Sequence, residues 1–147
     1  MVFKKIECRD KIAEVIQIAF SSDLPIEGCW GYTKEESTNI SKINLNEKIQ
    51  TQFTLATMRA YLEMNMTLEK DERYGAINLN ELSRYSVEDG YEKVIYEISA
   101  IKESEYKAFI DEYKANSEDK DFDMGKHFQR RKEATLKREV THWFKIV

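Results

Sequence analysis

The tract Leu79-Asn80-Glu81-Leu82-Ser83-Arg84-Tyr85-Ser86-Val87-Glu88-Asp89-Gly90-Tyr91-Glu92-Lys93-Val94-Ile95-Tyr96-Glu97-Ile98-Ser99-Ala100 decides how the chain folds. Its centre, Asp89-Gly90, suits the two positive backbone angles of a type I′ turn, and the flanks alternate between apolar and polar residues. The pattern predicts a β-hairpin. With Asp89 and Gly90 as the loop, Glu88 faces Tyr91, Tyr85 faces Val94, Ser83 faces Tyr96 and Leu79 faces Ala100. One face then carries Leu79, Tyr85, Val87, Val94, Tyr96, Ile98 and Ala100, while Arg84, Ser86, Lys93 and Glu97 point to water. A slip of one residue would exchange the two faces.

Beyond the hairpin, Val140-Thr141-His142-Trp143-Phe144-Lys145-Ile146-Val147 reads as a closing strand by composition and alternation. Ile12, Val15, Ile16, Ala19 and Phe20 fall on one face of a helix that Asp10 can cap and that should end at Ser21-Ser22. A second helix follows Asn44 or Asn46, with stripes at Ile49, Phe53, Ala56, Ala60 and at Leu55, Met58, Leu62, wide enough to lie centrally. Met64, Met66 and Leu68 alternate with polar residues and suggest a strand. Ser104 can cap a third helix bearing Tyr106, Phe109, Ile110 and Tyr113, and the stretch after Gly125 reads as helical to about Lys137. The expected fold is α+β, an antiparallel sheet of three to five strands packed by about three helices, in a single domain over residues 1–147.

Composition bounds the function. The chain is 41% apolar and 34% charged with five glycines and one proline, which is the make-up of a folded domain. No apolar run approaches the roughly 20 residues of a membrane span, and Met1–Asp10 mixes charge where a secretory signal would be apolar. The expectation is a cytoplasmic protein. A net charge of −4 argues against a nucleic-acid or anionic-lipid partner for the chain as a whole. Cys8 and Cys29 are too few for a disulfide framework, and both are read as free thiols.

Three patterns bear on chemistry. From Ser21 to Lys42 periodicity lapses around Pro25, Gly28 and Gly31, a length of loop that tends to be functional or to hide a short strand. Trp30 and Tyr32 lie in it, and both residue types anchor binding surfaces, although such a tryptophan can also plug the edge of a core. The same loop holds Gly28-Cys29-Trp30, and His142-Trp143 stands on the closing strand. In these residues the chain resembles papain-like cysteine peptidases and transglutaminase-like proteins. The resemblance implies Cys29 as nucleophile and His142 as base. It departs where Gly31-Tyr32-Thr33-Lys34-Glu35 replaces the helix that should follow the cysteine, and no orienting residue is identified. The competing reading makes Cys29 a packed small residue and His142 a hydrogen-bonded core histidine beside Val140, Phe144 and Ile146.

Asp119-Lys120-Asp121-Phe122-Asp123-Met124-Gly125 resembles the opening of a calcium loop. It fails at position 6, which is Met124, and at position 12, which is Arg130. Cys8, Cys29, His127 and His142 contain no close zinc-ligand pair, so no metal site and no cofactor is expected. Between Lys126 and Arg138 six cations face Glu133 alone, a local charge of +5 that leaves −9 for the remainder. Arg130, Arg131 and Arg138 could meet a polyanion with His127 and Phe128 stacking, or their charge could answer an acidic neighbour or a second subunit.

The sequence therefore favours a cytosolic binding or interaction module without catalytic machinery, holding a protein or small ligand near residues 23–40. The alternatives are a cysteine hydrolase or acyltransferase, and a weak polyanion binder through residues 126–138. A second copy of the chain is an admissible partner.

Overall fold

The computed structural model describes Met1 and residues 3–147. Four α-helices, α1 (Ile12–Phe20), α2 (Lys48–Tyr61), α3 (Glu103–Asn116) and α4 (Met124–Ala134), accompany one five-stranded sheet. Its strands are β1 (Glu27–Gly28), β2 (Thr38–Asn39), β3 (Tyr74–Val87), β4 (Tyr91–Lys102) and β5 (Leu136–Lys145), in the spatial order β1-β2-β5-β4-β3. The fold is α+β, with two corrections to the expected details. The sheet is mixed, because β2 runs parallel to β5, pairing Thr38 with Phe144 and Asn39 with Lys145. Among the described residues the α-helices number four and not about three; the basic stretch forms α4, capped by the Asp123 carboxylate accepting from the Lys126 amide, and it stops at Ala134, short of Lys137, which belongs to β5.

The hairpin forms around the expected dipeptide, but its loop has three residues. Asp89 and Gly90 both take positive φ, 71° and 79°, and Glu88 joins them, so Val87 rather than Glu88 faces Tyr91. Gly90 is held from the other side, where Ile146 donates to its carbonyl and a Cβ would stand 2.7 Å from Val147. The extra loop residue shifts the register by one, pairing Tyr85 with Lys93 and Arg84 with Val94. Tyr85 therefore turns to solvent and Arg84 turns toward the core, the reverse of the sequence expectation. An irregularity between Glu81 and Ser83 shifts the pairing once more, placing Leu79 opposite Ile98 and back inside.

The core face of β4 runs Glu92, Val94, Tyr96, Ile98, Ala100, and that of β5 runs Val140, His142, Phe144, all of them buried. Leu55, Ala56 and Ala60 of α2 and Ile12 and Ile16 of α1 join the same core, with Ile26, Trp30 and Ile40 from the loop between α1 and α2. The strand expected at Met64–Leu68 is absent. Leu62–Met66 instead continues α2 as a π-helical turn closed by the Thr67 amide on the Leu62 carbonyl, burying Leu62 and Met64. Asp10 is not the cap of α1, whose N-cap is Lys11, while Ser21 ends the helix in the left-handed region. Among the described residues no helix is long and apolar enough to cross a membrane.

Candidate functional site

The loop that carried the sequence-level hypotheses is built into the molecule. Trp30 is 2% exposed and belongs to the core, so it has no surface to offer a partner. Tyr32 is half-buried, its hydroxyl accepts from the Ile6 amide at 3.0 Å, and the Arg59 guanidinium lies 4.0 Å from its ring centroid. Burial, followed by the nearby Glu63 carboxylate, raises its phenol pKa to about 12. Neither aromatic is the free anchor that the sequence suggested.

Cys29 is not a free thiol. It is joined to Cys8 by a disulfide across Cα atoms 5.4 Å apart, a span that side chains bridge without moving the backbone. Bonded in this way it has no thiolate with which to attack. The base assigned to it is also committed. The Thr38 hydroxyl donates to the Cys29 carbonyl at 2.6 Å, so its oxygen accepts from His142 Nε2 at 2.9 Å. That arrangement leaves the proton on Nε2 and a bare Nδ1 with no hydrogen-bond partner among the described residues. The ring is fully buried, stacked on Phe144 at 4.2 Å, and burial followed by the Arg59 charge holds its pKa well below the usual histidine value. Gly31, at φ 78°, is required here because a Cβ would strike the His142 ring and stand 2.8 Å from the Trp143 carbonyl. The structure thus brings Cys29 and His142 together through Thr38, as a backbone lock between loop and strand.

The basic segment is answered in part from within the molecule. Arg130 and His127 Nδ1 both meet Glu112 of α3, and Arg131 lies over the Tyr106 ring at 5.3 Å. The His127 hydrogen bond, with the Arg130 charge, lowers the Glu112 carboxyl pKa. His127 itself is sealed among Phe109, Tyr113, Phe122 and Phe128, which removes it as a stacking platform. Arg138 lies over the Phe3 ring. In the calcium-like stretch, Asp119 accepts from the Asp121 amide and Asp123 caps α4; among the described residues no three His, Cys, Asp or Glu side chains converge as a metal site.

What sequence reading missed lies on α2, which has polar groups turned inward and apolar groups turned outward. Buried Gln52 donates to Glu92 at 2.9 Å, Lys48 reaches the same carboxylate at 3.1 Å, and Arg84 pairs with it and with Glu81. Burial pushes the Glu92 carboxyl pKa up, but the Gln52 and Lys48 hydrogen bonds and the Arg84 charge outweigh it and hold the group below its ordinary value. One turn from the C-terminal end, buried Arg59 pairs with buried Glu63 at 2.9 Å and donates to the carbonyls of Trp30 and Thr141. Both cations of α2 are spent inside.

Its outer face is then uncharged. Ile49, Phe53, Thr57 and Tyr61 follow one another at intervals of four, forming a continuous ridge of which only Thr57 and Tyr61 carry a hydroxyl. Ile49 is 61% exposed and Phe53 37%. Phe20, Gln50, Phe53, Thr54, Met58 and Tyr61 line a groove of about 460 Å³ between this ridge and the end of α1. Ile18 of α1, at 86%, and Leu45, just before α2, at 83%, are exposed as well. The signal was present in the sequence, since Ile49–Tyr61 contains Arg59 as its sole charge, but the stripe was assigned to the core. No family model, curated protein or solved structure matches the chain.

Proposed function

We propose that the chain is a non-catalytic interaction module whose working surface is the outer face of α1 and α2, and that a second copy of the same face is its partner. The observation that carries this reading is the uncharged Ile49–Phe53–Thr57–Tyr61 ridge in a protein that is one-third charged. Exposed apolar surface of this continuity marks contact sites, and the centres of interfaces are depleted of charge and rich in aromatic residues and methionine. A two-fold contact sets each surface against itself, so any net charge on it would meet its like. The ridge escapes that repulsion. Ridges formed at intervals of four also interdigitate readily, at crossing angles of about −50°.

The reading replaces the 23–40 loop with a neighbouring surface, because the loop's aromatic side chains are occupied. Sedimentation velocity over a concentration series tests it. The wild-type chain is expected to pass from monomer to dimer as concentration rises, and Ile49→Glu, which alters only an exposed side chain, is expected to remain monomeric with an unchanged circular dichroism spectrum. A wild type that stays monomeric throughout, or a dimer indifferent to Ile49→Glu, overturns the proposal.

A further inference from the structure

The segment of residues 3–8 crosses the molecule without secondary structure, yet it covers several buried groups. The Lys4 amide donates to the Glu63 carbonyl at 2.9 Å and the Ile6 amide to the Tyr32 hydroxyl at 3.0 Å. Lys5 lies 4.8 Å from the Tyr32 ring centroid, and the Phe3 ring covers the Arg138 guanidinium. Beneath the arm sit the buried Arg59–Glu63 pair and an Arg138 nitrogen with no hydrogen-bond partner among the described residues. At its far end the arm is joined to the residue that follows β1 by the Cys8–Cys29 disulfide, which spans 21 residues. Cys8 is exposed and Cys29 half-buried, so the disulfide lies near the molecular surface.

We infer that the Cys8–Cys29 disulfide is a reversible latch that holds the N-terminal arm over the Tyr32–Arg59–Glu63–Arg138 cluster, and that reduction releases the arm while the sheet stays folded. Exposed disulfides belong to the labile, regulatory class more than to the structural one. The reductant is a dithiol. Its thiolate attacks Cys8 Sγ, forms a mixed disulfide and expels Cys29 sulfur, which takes up a proton. The second thiol then closes the reductant's own disulfide and leaves Cys8 protonated. The protein gains two electrons and two protons, and the dithiol loses the same. Without the covalent tie, the Lys4 and Ile6 amide hydrogen bonds, the Lys5 and Phe3 ring contacts and half-buried Phe3 and Ile6 are left to order six residues of irregular chain, and the arm opens. The strands have no such dependence, because β3–β4–β5 pair along most of their length.

Amide hydrogen exchange on the folded protein with and without dithiothreitol, with thiol labelling read by mass, tests the latch. The expected result is labelling of both cysteines without denaturant, exchange at Lys4 and Ile6 faster by roughly tenfold or more, and unchanged protection in β3, β4 and β5. Cys8→Ser should reproduce the fast arm exchange without any reductant. Arm amides that stay protected after complete reduction or in Cys8→Ser, labelling that requires denaturant, or an equal loss of protection throughout the sheet would each overturn the inference.

Discussion

Helices α2 and α3 are both 14 residues long and answer opposite problems. α3 carries Glu103, Glu105, Lys107, Asp111, Glu112 and Lys114, buries no residue fully, and leans Tyr106 against Gly75 of β3. It is a helix half-open to water, with cations and anions interspersed, whose other side rests on β3 and α4. α2 buries Gln52, Leu55, Ala56, Arg59 and Ala60, and its exposed residues are Ile49, Gln50, Phe53 and Tyr61, none of them charged. Burying polar groups is costly unless they are paired, and leaving apolar groups in water forgoes stabilisation. α2 accepts the first by pairing each inward polar group, and the second is resolved if a partner covers the ridge. The difference teaches that the side of a helix that looks like core by periodicity is identified only when the destination of its charges is known.

The largest expected effect comes from breaking the inward side of α2. Arg59→Met leaves the Glu63 carboxylate buried without its partner and removes donors to Trp30 and Thr141, so unfolding in urea should show a loss of about 3–5 kcal/mol. A loss under about 1 kcal/mol would mean that the pair is dispensable and that the inner face of α2 tolerates an apolar replacement.

The second effect carries a pH signature. Glu92→Gln removes the charge that gathers Lys48 and Arg84, and should cost about 2 kcal/mol at neutral pH. The Glu92 pKa in the folded state lies below its ordinary value of 4.5, so its contribution is present above that pH and is lost as pH falls below it. The stability difference between wild type and Glu92→Gln should therefore shrink as pH is lowered through 4.5 toward the folded-state value. A difference that is constant with pH would place the loss in packing instead of charge.

The outer side of α2 should behave in the opposite sense. Ile49→Glu, tested in the monomer concentration range, is expected to change unfolding free energy by no more than about 0.5 kcal/mol, since an exposed side chain gives up little on folding. At dimer concentrations the same substitution removes the stabilisation that association adds. A variant that is destabilised equally at every concentration would show that Ile49 serves the monomer fold.

The elements most legible in the sequence are those whose periodicity had one reading. Asp89-Gly90 placed the hairpin because two adjacent positive φ angles need such residues, and Val140, His142 and Phe144 displayed the buried face of β5 by alternation. The hairpin register was not legible, since the same dipeptide serves a two-residue or a three-residue loop and the contacts of Gly90 with Ile146 and Val147 come from the far end of the chain. The parallel β2–β5 pair was hidden because β2 is two residues long, too short for any pattern. Cys8 and Cys29 lie 21 residues apart, and what makes them neighbours is the path of the arm, which no local signal records. The site was misassigned for a related reason. Trp30 and Tyr32 looked free because their loop lacks periodicity, yet the loop is anchored by β2, Thr38 and His142 from 104 residues away.

The smallest effect belongs to α3 and sharpens the contrast with α2. Lys107 is exposed, and it lies four residues after Glu103 and four before Asp111, the spacing at which opposite charges on a helix attract. Lys107→Glu turns both neighbours into repulsive pairs, and each reversal is worth only a few tenths, about 0.2–0.5 kcal/mol, because water screens charges on an exposed face. Thermal unfolding should register a slight loss that diminishes as salt is added, and sedimentation should register none. If this charge reversal disturbed association as strongly as Ile49→Glu, the partner would have to reach α3 as well, and an uncharged α2 ridge could no longer be the whole of the interface.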